Sequence, residues 1–199
     1  MTQRLRILGR RLISKGYGAL ERLTLAYRRL DGREQTMERE LYDTGDGAAI
    51  LLYDASRGMV ALVRQFRLPA YVKDGRESLI EVCAGRLEGA SAEARIVAEA
   101  EEETGFRVRN PRRLFEGYTS PGGFCEKLTY FAAEYSPADR IGAGGGLEAE
   151  GEDIEILEIP FAEALAMIER GEIVDTKTIL LLHYARLAGL LDCAAASAA

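Results

Sequence analysis

Histidine occurs once and cysteine three times among 199 residues, and neither supports the chemistry that it usually carries. Cys83, Cys125 and Cys193 are far apart and form no C-x-x-C pair. That excludes a zinc ribbon or a disulfide framework and reads as reduced thiols of a cytosolic protein. His183 stands alone beside Leu180, Leu181 and Leu182, so it reads as a packing residue rather than a catalytic one. No stretch approaches the roughly 18 uncharged apolar residues of a membrane-spanning helix. Nor does the N-terminus hold the apolar run of a secretory signal, because Arg4, Arg6, Arg10 and Arg11 interrupt it. Positive charge is also short: 26 Lys and Arg face 32 Asp and Glu, for a net charge of −6. Phosphate backbones are held by Lys and Arg, so general nucleic-acid binding is excluded. A negatively charged ligand would need local arginines or metal ions. These absences leave the expectation of a cytoplasmic protein with neither membrane nor nucleic acid as partner.

Apolar residues are plentiful. They make up 47% of the chain, enough to bury a core in one domain with an extension. Residues 3–13, 17–29 and 33–42 alternate loosely between apolar and polar, separated by Gly16-Tyr17-Gly18 and the hairpin dipeptide Asp31-Gly32. Residues 1–43 are therefore expected to form a strand arm whose dense arginines protect an edge. Gly45-Asp46-Gly47 marks a boundary, and residues 44–191 read as one layered α/β domain with a mixed sheet. Ala48–Tyr53 and Met59–Phe66 are continuous apolar runs, as in strands covered on both faces. Ser78–Cys83, Arg113–Thr119, Lys127–Glu134 and Asp153–Ile159 are further strands. Ser91–Thr104 is rich in helix formers, with Ser91 placed as N-cap and Gly105 as the C-terminal stop. Phe161–Arg170 and Lys177–Leu191 are two more helices. Pro137–Glu152 holds five glycines and reads as a mobile loop; residues 192–199 read as a disordered tail.

The densest chemistry lies on the first of these helices. Residues three and four apart are neighbours on a helix, so Glu99, Glu102 and Glu103 share one face. Acidic helix faces are commonly just solvated. Three mutually repelling carboxylates can also be held together by a hard dication, since Mg²⁺ prefers oxygen ligands. Such an ion neutralises phosphate and lowers the pKa of a bound water.

The surrounding residues favour the second reading. Gly85, Glu99, Glu102, Glu103, Gly105 and Phe106 are similar to the Nudix box, G-x5-E-x7-R-E-U-x-E-E-x-G-U, where U is bulky and aliphatic. Two departures stand out. The loop before the helix is one residue shorter than the pattern, and Ala98 occupies the place of the box arginine. Arg95, one turn before Glu99, is positioned to substitute for it. Pro121, in Ser120-Pro121-Gly122-Gly123 after the box, resembles the ADP-ribose and nucleotide-sugar pyrophosphatase branch. Roughly Met1 to Leu191 resembles the bacterial GDP-mannose pyrophosphatases of that branch, through Glu38–Asp43, Gly47–Tyr53, Arg64–Arg67, Ala132–Ser136, Ala143–Gly146, Gly171–Ile173 and Lys177-Thr178.

This resemblance implies a Nudix α/β/α sandwich with mixed sheet, plus the N-terminal strand arm. It implies Mg²⁺ as cofactor, with Mn²⁺ as an alternative, and a homodimer with exchanged N-terminal arms. It implies metal contacts from the Ala84 carbonyl, Glu99, Glu102, Glu103 and Glu152. Catalytic roles would fall to Glu102, Glu103 and the base Glu150; exchanging the roles of Glu150 and Glu152 shifts the register by two positions. Substrate contacts are implied at Tyr17, Glu38, Arg39, Glu40, Arg67, Gly85, Arg86, Glu126 and Lys177. Arg64, at the same strand end as Arg67, also suits a diphosphate. The implied activity is hydrolysis of the diphosphate of a nucleotide sugar, GDP-mannose to GMP and mannose 1-phosphate. Two rivals remain: ADP-ribose as substrate, and a Nudix-like regulator that binds nucleotide without cutting it.

Overall fold

A computed structural model describes residues 4–192. In chain order the elements are β1 (Leu5–Lys15), β2 (Ala19–Arg28), β3 (Glu34–Asp43), β4 (Gly47–Asp54), β5 (Met59–Gln65), α1 (Leu68–Asp74), β6 (Leu79–Glu81), β7 (Cys83–Arg86), α2 (Ala92–Thr104), β8 (Arg112–Tyr118), β9 (Phe124–Cys125), β10 (Lys127–Glu134), β11 (Glu155–Pro160), α3 (Phe161–Glu169) and α4 (Thr176–Leu187). The tail expected at 192–199 lies, beyond Asp192, outside the described residues, and Cys193 with it. Among the described residues no helix is long and apolar enough to cross a membrane.

The described residues divide into two compact units. One comprises those up to Asp46 together with Tyr118–Lys127; the other comprises Gly47–Gly117 and those from Leu128 on. The first unit is a four-stranded sheet in the order β1-β2-β3-β9. Its strands β1, β2 and β3 form an antiparallel meander, and β9 adds in parallel beside Tyr42 and Asp43. Cross-strand pairs such as Arg10–Glu21 and Arg22–Glu40 lace its surface. β1 is exposed along its whole length, including Leu5, Ile7, Leu8, Leu12 and Ile13.

The second unit is an α/β/α sandwich built on a seven-stranded mixed sheet, ordered β11-β5-β4-β10-β8 with β6 beside β5 and β7 beside β4. β4 runs parallel to β10, and β5 runs antiparallel to both β4 and β11. β4 is buried along nearly its whole length, as its unbroken apolar run requires. Alternate residues feed two cores. Ala48, Ile50, Leu52, Ala61 and Val63 pack with Ile96, Ala100 and Phe106 on the α2 side. Ala49, Leu51, Val60 and Leu62 pack with Ala164, Leu181 and Leu182 of α3 and α4.

The hairpin of β4 and β5 is paired only near its turn, at Leu52–Asp54 and Met59–Ala61. Beyond that, β6 takes Val63–Gln65 of β5 and β7 takes Gly47–Ile50 of β4. The chain from Leu79 to Arg86 is thus a wedge that crosses from β5 to β4 at Val82, where the expected single strand is interrupted. The Val82 N–H donates to Thr178 Oγ1 at 2.8 Å, and that hydroxyl donates to Asp175 Oδ2 at 2.6 Å. Ile80, Val82 and Ala84 pack in the core under α3 and α4. Pleating therefore turns Glu81, Cys83 and Gly85 to the opposite, α2 face.

The hairpin turn is fixed by the buried Asp54, which accepts from Ser56 Oγ, the Arg57 N–H and Arg57 Nε. Burial alone would raise the Asp54 pKa, but these hydrogen bonds outweigh it and hold the carboxyl below the usual range. A depressed carboxylate stabilises the fold above its unfolded pKa of about 3.9, and that stabilisation is lost as pH falls through the folded value. Asp54→Asn should therefore lower Tm at pH 7, with the gap to wild type closing below about pH 4. A constant gap from pH 7 to pH 2 would show that the ionised form does not matter.

Candidate active site

The site is written on the wedge and on α2. Ser91 caps α2 by accepting from the Ala94 N–H at 3.2 Å, and Gly105, at φ 70°, ends it with its N–H on the Glu101 carbonyl. Within α2, Glu99 and Glu103 are buried and Glu102 is half-buried. Gly85 faces Glu99 so closely that a Cβ there would collide with the Glu99 carboxylate. Cys83, fully buried, lies close enough to Glu103 for each to perturb the other's titration. Glu103 Oε2 has no hydrogen-bond partner although it is buried. Burial lifts the Glu103 pKa to about 8; the charges of Glu99 and Glu152 add to the rise, against the nearby Cys83 thiol and the Arg67 charge.

Arg95 Nη2 lies 2.5 Å from Glu99 Oε1 and 3.9 Å from Glu88 Oε2. The arginine missing at Ala98 is thus supplied from one turn earlier. The shortened loop ahead of the helix is a tight turn from Leu87 to Ala90, closed by a 2.7 Å hydrogen bond, with Glu88 at φ 48° and Gly89 at φ 89°. Such φ values at both central residues are those of a type I′ turn.

The glycine-rich segment expected to be mobile is pinned to the end of α2. The last carbonyls of a helix have no partner within it. Here the Gly145 and Gly146 N–H groups donate to the carbonyls of Glu103 and Glu102, and the Ile141 and Gly142 N–H groups to that of Gly105. A Cβ at Gly144 would strike the Glu103 carbonyl, so only glycine permits this approach. Beyond Gly146 the chain makes a turn closed by the Glu152 N–H on the Leu147 carbonyl and the Leu147 N–H on Glu152 Oε2. Glu152 is thereby held within electrostatic range of Glu103. Glu150 stands in the short 3-10 turn Glu148–Glu150, and its side chain lies outside the described part of the structure.

The remaining expected residues fall into two groups, one in each unit. In the second unit Arg67 follows β5 as the N-cap residue of α1. Its Nε and Nη2 lie 2.9 and 2.8 Å from Glu81 Oε2. Lys177, at the start of α4, donates to Glu81 Oε1 at 3.0 Å and to Asp175 Oδ1 at 2.9 Å. Arg86 ends β7 opposite Gly47, and Ala84 lies opposite Ala49. Arg64, expected to share the diphosphate, instead pairs with Glu155 of β11 at 2.6 Å. In the first unit, Glu38, Arg39 and Glu40 lie together on β3 and line a depression of about 340 Å³ with Arg22. Glu126 accepts from Thr119 Oγ1, and Tyr17 is exposed in the turn between β1 and β2. Glu81, Cys83 and Asp175 were not singled out from sequence, because nothing local distinguishes them.

Among the described residues no three His, Cys, Asp or Glu side chains are gathered as a formed metal centre. The donors nevertheless fit a hard dication: the expected ligands are all oxygens, one carboxylate oxygen is buried without a partner, and a glycine cradle lies beside them.

Known proteins are similar to this chain along most of its length. The profile of the GDP-mannose pyrophosphatase NudK N-terminal domain matches residues 4–42. A GDP-mannose pyrophosphatase of Escherichia coli O1:K1 / APEC is 48% identical over 194 residues, covering 96% of this chain and 100% of the relative. One of Shigella flexneri serotype 5b (strain 8401) matches with the same identity and coverage. A solved structure described as the crystal structure of an ADP compounds hydrolase superposes with a TM-score of 0.72, covering 94% of this chain and 96% of that one. At 17% identity it speaks for the fold alone. Sandwich and carboxylate helix together define a Nudix hydrolase, a class that works with a divalent metal. Within that class the chain belongs to the GDP-mannose pyrophosphatase family.

Two outcomes follow from the buried carboxylates. Because the folded pKa of Glu103 is raised, metal-free protein holds its proton between about pH 4.5 and 8 while the unfolded chain releases it. Stability attributable to this group therefore falls as pH rises across that window. Glu103→Gln should raise Tm in EDTA at pH 9 and lose that advantage at pH 4; a melting profile parallel to wild type would refute the burial cost. Arg95→Ala should reduce both metal affinity, read by calorimetry, and turnover. Both unchanged would remove Arg95 from the site.

Proposed function

We propose that this chain hydrolyses GDP-mannose to GMP and mannose 1-phosphate, with Mg²⁺ as its divalent ion and Mn²⁺ able to replace it. The observation that carries the reading is an intact carboxylate set on α2 in a chain matched along 96% of its length by GDP-mannose pyrophosphatases. Water attacks one phosphorus, the P–O bond of the diphosphate bridge breaks, and the departing phosphate takes the electron pair. Bound metal neutralises the phosphate oxygens and lowers the pKa of the attacking water. Glu99, Glu102, Glu103 and Glu152, with the Ala84 carbonyl, would hold the metal. Glu150 accepts the proton from water. Arg67 and Lys177 hold the diphosphate in line. Gly85 and Arg86 approach it along β7. Arg39, Glu38, Glu40, Tyr17 and Glu126 recognise the nucleoside and sugar.

We also propose a homodimer in which the N-terminal arm, residues 1–43, of each copy completes the pocket of the other. The exposed apolar side chains of β1, on the edge of a four-stranded sheet, support that reading. It acts in the cytoplasm.

Glu99→Gln and Glu103→Gln should each lower turnover by roughly 10²–10⁴ with the fold preserved. Product analysis with Mg²⁺ and with EDTA decides the chemistry: GDP and free mannose would refute it, and binding without turnover would favour a regulator. A kcat/KM for ADP-ribose about tenfold above that for GDP-mannose, a preference worth ~1.4 kcal/mol, would move the assignment to ADP-ribose. Deleting residues 1–43 should leave a monomeric or insoluble protein with little activity, checked by light scattering. A fully active monomer would show that the arm contributes nothing.

A further inference from the structure

We propose that Glu81 is a positioning residue that presets Arg67 and Lys177 as a two-cation clamp for the diphosphate. The inference rests on the substrate roles just proposed for those two cations.

Glu81 is 3% exposed, and its two oxygens serve different partners. Oε2 takes both Nε and Nη2 of Arg67, and Oε1 takes Lys177 Nζ. Arg67 arrives from the end of β5 and Lys177 from the start of α4, so no contact within one element sets their separation. Glu81 is the one carboxylate that touches both, while Asp175 holds Lys177 from its other side. Arg67 is 39% exposed while Glu81 is buried, so the guanidinium is gripped along one edge and reaches solvent beyond it. An arginine has five N–H donors and a lysine three; each keeps donors that are not committed to Glu81. Arg67 can then take phosphate oxygens in a forked manner, while Lys177, which also donates to Asp175, adds a point charge and its remaining donor.

Burying a carboxylate between two cations is a poor way to gain stability, because desolvation offsets the attraction. The arrangement gains geometry instead. Glu81 is also two residues from Cys83 and four from Gly85 on the same face of the wedge. The clamp is therefore in register with the groups that meet Glu103 and Glu99.

Glu81→Gln and Glu81→Asp test this beside Arg67→Ala and the double variant Arg67→Ala/Glu81→Gln. Each is assayed for KM and kcat on GDP-mannose, for Mn²⁺ affinity by calorimetry, and for binding of inorganic pyrophosphate, which reads the clamp without turnover. Glu81→Gln should lower kcat/KM by roughly 10²-fold, the scale of a misplaced binding group. Pyrophosphate binding should weaken with it, while Mn²⁺ affinity stays within about twofold. Glu81→Asp, which keeps the charge with a shorter reach, should fall between; it carries the test alone if the Gln variant does not fold. The double variant should be no worse than Arg67→Ala by itself. Full additivity, or unchanged pyrophosphate binding in a folded Glu81 variant, overturns the proposal. Lost Mn²⁺ affinity with intact pyrophosphate binding overturns it too and makes Glu81 part of the metal site. If Arg67→Ala and Lys177→Ala leave kcat/KM and pyrophosphate binding untouched, the substrate roles of the cations fail first, and this inference with them.

Discussion

The hydrogen bond from the Val82 N–H to Thr178 Oγ1 sets the register of everything chemical in this molecule. β4 and β5 separate after a short paired stretch, and the wedge between them must leave one strand and join the other. At the crossing a buried N–H would lose its sheet partner, a loss that costs about 1–3 kcal/mol when nothing replaces it. The Thr178 hydroxyl replaces it and in turn donates a hydrogen bond to Asp175, which also caps α4. Alternation is thus preserved across the break. Glu81 meets the cations, Cys83 meets Glu103, and Gly85 makes room for Glu99. A slip of one residue would turn all three into the core under α3 and α4.

Opposite the wedge, the end of α2 is held by the loop that follows β10. Orphan carbonyls at a helix end accept glycine N–H groups, and that docking holds Glu152 within electrostatic range of Glu103. The carboxylates are brought together at an electrostatic cost that protonation of Glu103 relieves in the metal-free protein. A bound dication would relieve it differently, by taking the place of the Glu103 proton and supplying positive charge to the carboxylates. The same buried carboxylate is therefore a burden to the metal-free fold and, on the function proposed above, a ligand once metal is bound.

Local chemistry was legible in the sequence. Ser91, Gly105 and the spacing of the glutamates specify α2 and its acidic face within a few residues of one another. Long-range chemistry was not. The break at Val82 depends on a hydroxyl 96 residues later in the chain. Arg64 and Arg67 look alike as strand-end arginines, but β11 claims the first through Glu155 while Glu81 claims the second. Glycine content cannot separate a mobile loop from one docked on a helix end, since both need positive φ and small volume. Residues 68–74 carry no clear element signal in the sequence, because Pro69 and Gly75 punctuate so short a segment.

The two departures from the Nudix box are one structural adjustment. Moving the arginine from position 98 to 95 places it at i−4 from Glu99, on the same helical face rather than about 100° around it. From there its side chain lies between Glu99 and the turn at Glu88. That turn is tight because the loop is a residue short, and Glu88 sits at φ 48° at its apex. A longer loop would carry Glu88 away, leaving Arg95 with one acidic neighbour instead of two. An arginine at position 98 would point away from the turn altogether. Shortened loop and displaced arginine therefore belong together. The requirement they jointly meet is a cation against Glu99, which constrains charge and distance and leaves sequence position free.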